Sequence, residues 1–333
     1  MRKFISLIVI VLLFAASLSA DERKIGTSGA QFLKIGVGSK YIGMGEASAA
    51  VATDVYAMYW NPAGLAEIEG NAISFTNVDY LLDVQLNYLA YAKAFEDVGV
   101  FGFSVAALSM DEMEITTFED QDGTGDMYDA GSYALGLSYA RQFNAQFSFG
   151  LSVKYINEKI HNETASGFAF DFGTMLYTGF RSLRLGVSIN NMGPEMEFSG
   201  NDLIVNYDEQ NGGGANDPVN AELQSTPYEL PMIFRFGMAY DFIFNEKSKM
   251  TFASEISHPN DNAQQGAVGA EFNYDDLFYL RGGYKINYDE QGISFGGGLN
   301  TVVSGETRLL LDYSWQDYGR LNSTQRFSVG FTF

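Results

Sequence analysis

The chain has no cysteine, six prolines, two histidines and two tryptophans in 333 residues, and its 20 basic side chains are outnumbered by 41 acidic ones. Without cysteine there is no disulfide framework, so stability must come from sheet closure and packing. A net charge of −21 argues against nucleic acid as a partner. Beyond residue 20 no run approaches the eighteen or so apolar residues of a spanning helix, which excludes helical membrane insertion. Histidine chemistry is equally poorly supplied. His161 and His258 are the whole stock, and the nearest nucleophile, Ser257 beside His258, would point to the opposite face of a strand. No enzyme is expected.

What the chain does have is alternation. Aromatics make up 15% of it and glycine contributes 36 residues, with apolar groups placed at every second position rather than in blocks. Arg326 to Phe333 shows the pattern in its clearest form. Phe327, Val329, Phe331 and Phe333 share one face, Arg326, Ser328, Gly330 and Thr332 the other, as in the terminal strand of an outer-membrane β-barrel read by the barrel assembly machinery. At the other end, Arg2 and Lys3 precede an apolar run from Phe4 to Ala16 and small residues at Ser17, Ser19 and Ala20. That order predicts a cleavable signal peptide over residues 1–20.

From Asn71 onward fourteen alternating segments are expected: 71–80, 85–95, 98–110, 131–143, 147–159, 167–178, 183–190, 232–242, 249–257, 267–274, 277–287, 292–302, 308–317 and 321–333. An even number suits a closed single-chain barrel, here an all-β transmembrane, fourteen-stranded antiparallel barrel over 71–333. Short connections such as 96–97, 144–146 and 275–276 alternate with long ones at 111–130, 160–166 and 191–231, as periplasmic turns alternate with extracellular loops. By the same parity Lys154, Arg184, Arg235, Arg281, Lys285, Arg308 and Arg326 face the lumen with Asp171, Asp241, Glu255, Glu271 and Asp312. Seven bases against five acids predict a cross-strand ion-pair lattice rather than a selective pore. Tyr133, Tyr139, Tyr155, Tyr240, Tyr274, Tyr284 and Trp315 fall on the outward parity, as headgroup-level girdle residues.

Residues 21–70 do not alternate, and are expected to sit in the lumen as a short helical hatch. Asp54 can cap a helix through Trp60, which Asn61-Pro62 ends. Three stretches here, Phe32-Leu33-Lys34-Ile35-Gly36-Val37-Gly38, Gly43-Met44-Gly45 and Met58-Tyr59-Trp60-Asn61-Pro62-Ala63-Gly64-Leu65, together resemble the PorV/PorQ branch of the FadL-type outer-membrane proteins. The sequence departs from that pattern at Glu46, where a further glycine is usual, and at Thr53-Asp54. The resemblance implies an outer-membrane barrel whose hatch includes Asn61, Pro62, Ala63 and Gly64, with no catalytic residue. It implies one of two roles. PorV-like members serve type IX secretion, receiving exported cargo and handing it to partner proteins; FadL-like members take up hydrophobic small molecules through the lumen.

The loops carry the acid. Residues 111–130 and 191–230 hold sixteen of the 41 acidic residues and no lysine or arginine, a rim able to meet a basic partner or, through divalent cations, lipopolysaccharide and the surrounding lipid. Asp120, Asp122 and Asp126, spaced around glycines, form a candidate calcium loop, although Gly131 stands where an EF-hand would place its bidentate glutamate.

Overall fold

The computed structural model describes residues 25–82, 84–207 and 219–333. The signal peptide expected over residues 1–20 and the start of the 21–70 segment lie outside the described residues.

Alternation becomes fourteen antiparallel strands: β1 Asn71–Asp79, β2 Gln85–Phe95, β3 Gly99–Ser109, β4 Ala130–Asn144, β5 Phe147–Ile160, β6 Glu163–Tyr177, β7 Arg184–Met192, β8 Ile233–Asn245, β9 Ser248–Pro259, β10 Gln265–Tyr274, β11 Phe278–Ile286, β12 Ile293–Ser304, β13 Thr307–Asp317 and β14 Ser323–Thr332. Each pairs with its sequence neighbours. β14 returns to β1, with Phe331 opposite Ile73 and Arg326 opposite Val78, so the sheet closes and no strand edge is left bare. Parity is kept through the wall. In β14, Phe327 is 51% exposed and Phe331 39%, whereas Arg326 and Ser328 between them are 1% and 3% exposed. Val329 and Phe333 lie on the same outward side.

The turns at 96–98, 145–146, 246–247, 275–277 and 305–306 all lie at the end where Asn71 N–H donates to the Phe333 carbonyl at 2.8 Å. By the usual barrel rule this end is periplasmic. Left-handed residues make those turns possible, Asp97 at φ 62° and Asp275 and Asp276 at 58° and 49° among them.

One connection differs from expectation. Residues 160–166 are not a loop: Glu163 pairs with Ile160, Thr164 with Lys159 and Ser166 with Asn157, around a two-residue turn with His161 at φ 53°. Glu163-Thr164-Ala165-Ser166 alternates in burial but not in hydrophobicity. The hydrogen-bond ladder carries this hairpin past the apolar band, so no apolar face marks it in the sequence. The two long extracellular loops also carry short ladders of their own, Met113–Glu114 against Met127–Tyr128 and Ile204–Tyr207 against Val219–Glu222.

Inside the wall, residues 30–68 cross from one mouth to the other as irregular chain with a few short helical turns, α1 Ser39–Gly43 and α2 Ala57–Trp60, and a 3-10 turn Pro62–Glu67. Asp54 supports the start of α2, accepting from Tyr56 N–H at 3.0 Å, and Asn61 closes it in extended conformation. Trp60 is fully buried and donates its indole N–H to the Val37 carbonyl at 2.9 Å, tying the two halves of the segment together. The wall makes room by having almost no side chain where the segment passes. A Cβ on Gly173 would sit 2.1 Å from Asn61 Oδ1, and one on Gly186 1.9 Å from the Ala49 carbonyl oxygen. The small inward residues therefore line a filled lumen, not an empty one.

Gly173→Val tests this packing. The collision is with side-chain and backbone atoms that cannot swing away, so the substitution is expected to destabilise the barrel by about 3 kcal/mol, the upper end of overpacking costs. The readout is urea unfolding in lipid vesicles, followed by loss of the heat-modifiable band on gels.

Candidate functional site in the lumen and at the extracellular rim

An irregular segment in a tightly packed interior leaves backbone N–H and C=O groups that neither a helix nor a sheet satisfies. The inward side chains of the barrel supply the partners. Glu255 accepts from Ser48 N–H at 2.8 Å and Ala49 N–H at 2.7 Å. Arg184 donates to the Ala50 carbonyl at 2.8 Å, Arg326 to Gly36 at 3.0 Å, Ser188 to Trp60 at 2.9 Å and Asn190 to Tyr59 at 3.2 Å. Ser328 Oγ accepts from Ser39 N–H at 3.0 Å. These contacts fasten the segment to strands β7, β9 and β14, on widely separated parts of the wall.

Asn61, Pro62, Ala63 and Gly64 are all buried at the centre of this arrangement. Asn61 Nδ2 donates to the Ala49 carbonyl at 2.6 Å and to the Thr174 carbonyl of β6 at 3.1 Å, while its Oδ1 accepts from Ala63 N–H at 3.2 Å. One amide thus joins two parts of the segment and the wall. Gly64 lies against the Ala52 carbonyl, with no space for a side chain.

Five of the seven inward bases find acid partners, and Arg326 instead uses Gln316 at 3.2 Å and Thr324 at 2.8 Å. Lys154 meets Asp171 at 2.9 Å, Arg184 meets Asp241 at 2.7 Å, Arg235 meets Glu255 at 3.2 Å, and Arg281 bridges Glu271 at 2.6 Å and Asp312 at 2.5 Å. Arg308 instead uses Asn300, at 2.8 Å. The acid that the wall lacked comes from the inner segment: Glu46 pairs with Lys285 at 2.5 Å, both buried. Glu46 has φ 68°, the conformation that favours glycine. Its departure from the family pattern is therefore a strained residue held by a buried ion pair. The excess of inward bases over acids was the signal in the sequence that a further carboxylate had to arrive from elsewhere.

Asp171 has a second task. The β6–β7 register shifts between Phe170 and Phe172, and the Asp171 carboxylate takes Asn191 N–H at 2.7 Å where the ladder is interrupted. Lys154 also donates to Asn191 Oδ1, so the start of the long 193–232 loop is fixed from inside the wall.

At the extracellular mouth the first described residues are tied down by side chains that the sequence did not single out. Asp261, in the β9–β10 loop, accepts from Ser28 Oγ at 2.7 Å, Gln31 Nε2 at 2.8 Å and Lys34 Nζ at 2.9 Å. Glu158 accepts from Ala30 N–H at 3.1 Å and from the Tyr228 hydroxyl at 2.8 Å, and Gly29 N–H donates to the Glu229 carbonyl at 3.1 Å. The long loop and the inner segment are therefore tied to each other at the mouth. Burial pushes the Asp261 carboxyl up, but the hydrogen bonds from Ser28, Lys34 and Gln31 and the Lys34 charge outweigh it and hold the group below its ordinary value.

The remaining candidates are placed less productively. Asp120, Asp122 and Asp126 lie exposed on the 110–129 loop, where Glu114 Oε1 takes Gly125 N–H at 3.0 Å. Among the described residues no group of three or more acidic, histidine or cysteine side chains could hold a metal ion, so the geometry gives the calcium expectation no ligand set. The loop's own hydrogen bonds, Thr117 N–H to Asp120 at 3.1 Å and Thr124 N–H to Ile115 at 2.9 Å, present Phe118 at its tip, 93% exposed. Ser257 faces inward and His258 outward, so they form no pair.

A protein-family model described as Type IX secretion system protein PorV matches residues 18–260. No curated protein matches the chain. Among solved structures, the toluene transporter TbuX of Ralstonia pickettii superposes with a TM-score of 0.56 at 13% identity, over 89% of this chain and 97% of that one. The toluene transporter TodX of Pseudomonas putida gives 0.56 at 14% identity, over 89% and 97%. A Pseudomonas aeruginosa FadL homologue gives 0.52 at 13%, over 89% and 98%. At these identities the likeness is one of fold, that of outer-membrane transport barrels, and the barrel described here is an outer-membrane protein.

Two outcomes follow from the latches. Glu46→Gly relieves a left-handed residue, worth about 1 kcal/mol, but strands Lys285, at a cost of about 3–5 kcal/mol. A net loss is expected in vesicle unfolding, with recovery in the Glu46→Gly, Lys285→Met double variant. Because the folded Asp261 is depressed, its stabilising contribution is complete above the unfolded value near 4 and is lost as pH falls through the folded value. Protection factors against hydrogen exchange at residues 28–34 should be unchanged from about pH 7 to 5 and fall below about 4, and Asp261→Asn should abolish that fall.

Proposed function

Because the chain belongs to the PorV family of type IX secretion system proteins, we propose that it is a non-enzymatic component of protein secretion that holds exported cargo or a partner protein on its extracellular loops. The observation that carries this reading is the contrast between lumen and rim. The lumen is filled by a segment fastened through buried ion pairs and backbone hydrogen bonds. The rim instead projects an ordered acidic loop with Phe118 at its tip.

A partner suited to this rim has a basic face and an apolar socket for an aromatic ring. Opposite charges steer the encounter, and a buried aromatic supplies most of the affinity. Uptake of hydrophobic molecules through the lumen has less to recommend it. Above the inner segment a cavity of about 340 Å³ is lined in part by Lys34, Glu46, Arg235 and Lys285. Below it one of about 180 Å³ is lined in part by Lys40, Asp54, Arg281 and Asp312. Each has paired charges in its lining, Glu46 with Lys285 in the one and Arg281 with Asp312 in the other, beside which an apolar solute would lie.

The test is co-purification from native outer membranes. Phe118→Ser is expected to weaken partner retention by about 30-fold, the loss of a central aromatic anchor, while the barrel stays heat-modifiable. Replacing residues 201–222 by a short Gly-Ser linker should do at least as much. Full retention in both variants, together with altered hydrocarbon permeability when Asn61 is changed, would reverse the assignment in favour of uptake.

A further inference from the structure

The outward face of strands β8 to β11 carries a groove of about 460 Å³. Its origin is legible in the register. One outward row runs Tyr240, Phe252, Ala270, Gly282, Phe295 across five strands, and the adjacent row runs Met238, Ser254, Val268, Tyr284. Ala270 and Gly282 leave a depression between Phe252 and Phe295, rings that are 45% and 52% exposed. Ser254 extends the depression toward Met238, and the groove reaches Leu183 and Tyr240 at its periplasmic end.

That end carries a cation without an acid. Arg181, exposed in the β6–β7 turn, donates to the Tyr240 hydroxyl at 3.3 Å. Among the described residues no carboxylate lies within ion-pair distance of it, whereas Lys247 in the neighbouring turn is matched to Asp275 at 3.0 Å. A guanidinium and a phenol side by side at headgroup level, continuous with an apolar trough in the hydrocarbon, match the two halves of one molecule.

We propose that this groove binds an anionic phospholipid of the periplasmic leaflet, its phosphate held by Arg181 and Tyr240 and one acyl chain lying along Met238, Phe252, Ala270 and Gly282. The phosphate takes the free N–H groups of Arg181, and with no acid beside that cation a headgroup of net negative charge is favoured over one that carries its own ammonium. Removal of apolar wall from disordered lipid contact selects the chain. The site is independent of what the extracellular loops hold.

The experiment is native mass spectrometry of the full-length barrel released gently from bilayers of equimolar phosphatidylglycerol and phosphatidylethanolamine. Wild type is expected to retain a single lipid, enriched roughly tenfold in phosphatidylglycerol, because phosphatidylethanolamine offers the same phosphate but brings an ammonium that repels Arg181 and finds no acid beside it. Arg181→Gln should erase the enrichment while leaving a lipid bound. Gly282→Leu should expel the lipid without disturbing the wall, because a Cβ at this position meets only Phe295, at 3.9 Å; heat-modifiability verifies folding in each variant. The proposal is overturned if wild type retains no lipid, if Gly282→Leu retains as much as wild type, if the enrichment survives Arg181→Gln, or if the retained species is lipopolysaccharide. Loss of an associated protein, rather than of lipid, from Gly282→Leu would equally overturn it and make the groove a protein seam.

Discussion

Everything inside this barrel depends on one constraint: a stretch of irregular backbone in a packed interior must have its N–H and C=O groups hydrogen-bonded by something other than itself. A spanning helix or a closed sheet meets that demand internally. The segment over residues 30–68 does not, and the wall meets it instead. Glu255 takes two consecutive N–H groups, and Arg184, Arg326, Ser188 and Asn190 each cover a carbonyl. The inward side chains are therefore chosen by the backbone they serve. Charged groups that would be costly alone are tolerated because they find partners: Arg184 has Asp241 and the Ala50 carbonyl, and Lys285 has Glu46.

The same constraint explains the glycines and small residues of the inner wall. Where the segment passes, the wall must approach to backbone distance, and a side chain at Gly173 or Gly186 would occupy the place of an atom already there. Packing and hydrogen bonding thus act on one surface. The strain at Glu46 belongs to this balance. A left-handed residue is kept because its carboxylate neutralises a buried lysine that the wall cannot otherwise pair.

The proposed secretion role puts the functional weight on the outside. At the mouth, Asp261 and Glu158 hold Ser28 and Ala30, and Tyr228 of the long loop joins them through Glu158. What remains available is the acidic rim with Phe118, and on the lipid face a groove beneath Arg181. One barrel wall therefore presents three chemically distinct surfaces: a polar interior that binds its own chain, an aromatic exterior that binds lipid, and an anionic rim turned toward the cell surface. Fold alone does not select among such uses, which is why barrels of one shape serve both transport and secretion.

Much of this was legible in the residues themselves. Period-two alternation fixes which side chains share a face, so the fourteen strands, the outward Phe327 and Phe331, and the inward charges of Asp171, Arg235 and Glu271 follow from spacing alone, because a strand offers only two directions. The Asn61-Pro62 stop after α2 is equally local, a matter of backbone sterics. Other features depend on residues far apart in the chain, brought together by closure. That Glu46 completes the charge lattice, that Glu255 is a ligand for backbone, that Asp261 anchors residues more than two hundred positions earlier, and that Ala270 and Gly282 open a groove beside Tyr240 are all matters of register and threading. Sequence periodicity decides the face on which a side chain lies. Only the closed tertiary structure decides what it meets there, since partners in a barrel interior are set by which strands stand opposite and by how the inner segment is laid between them.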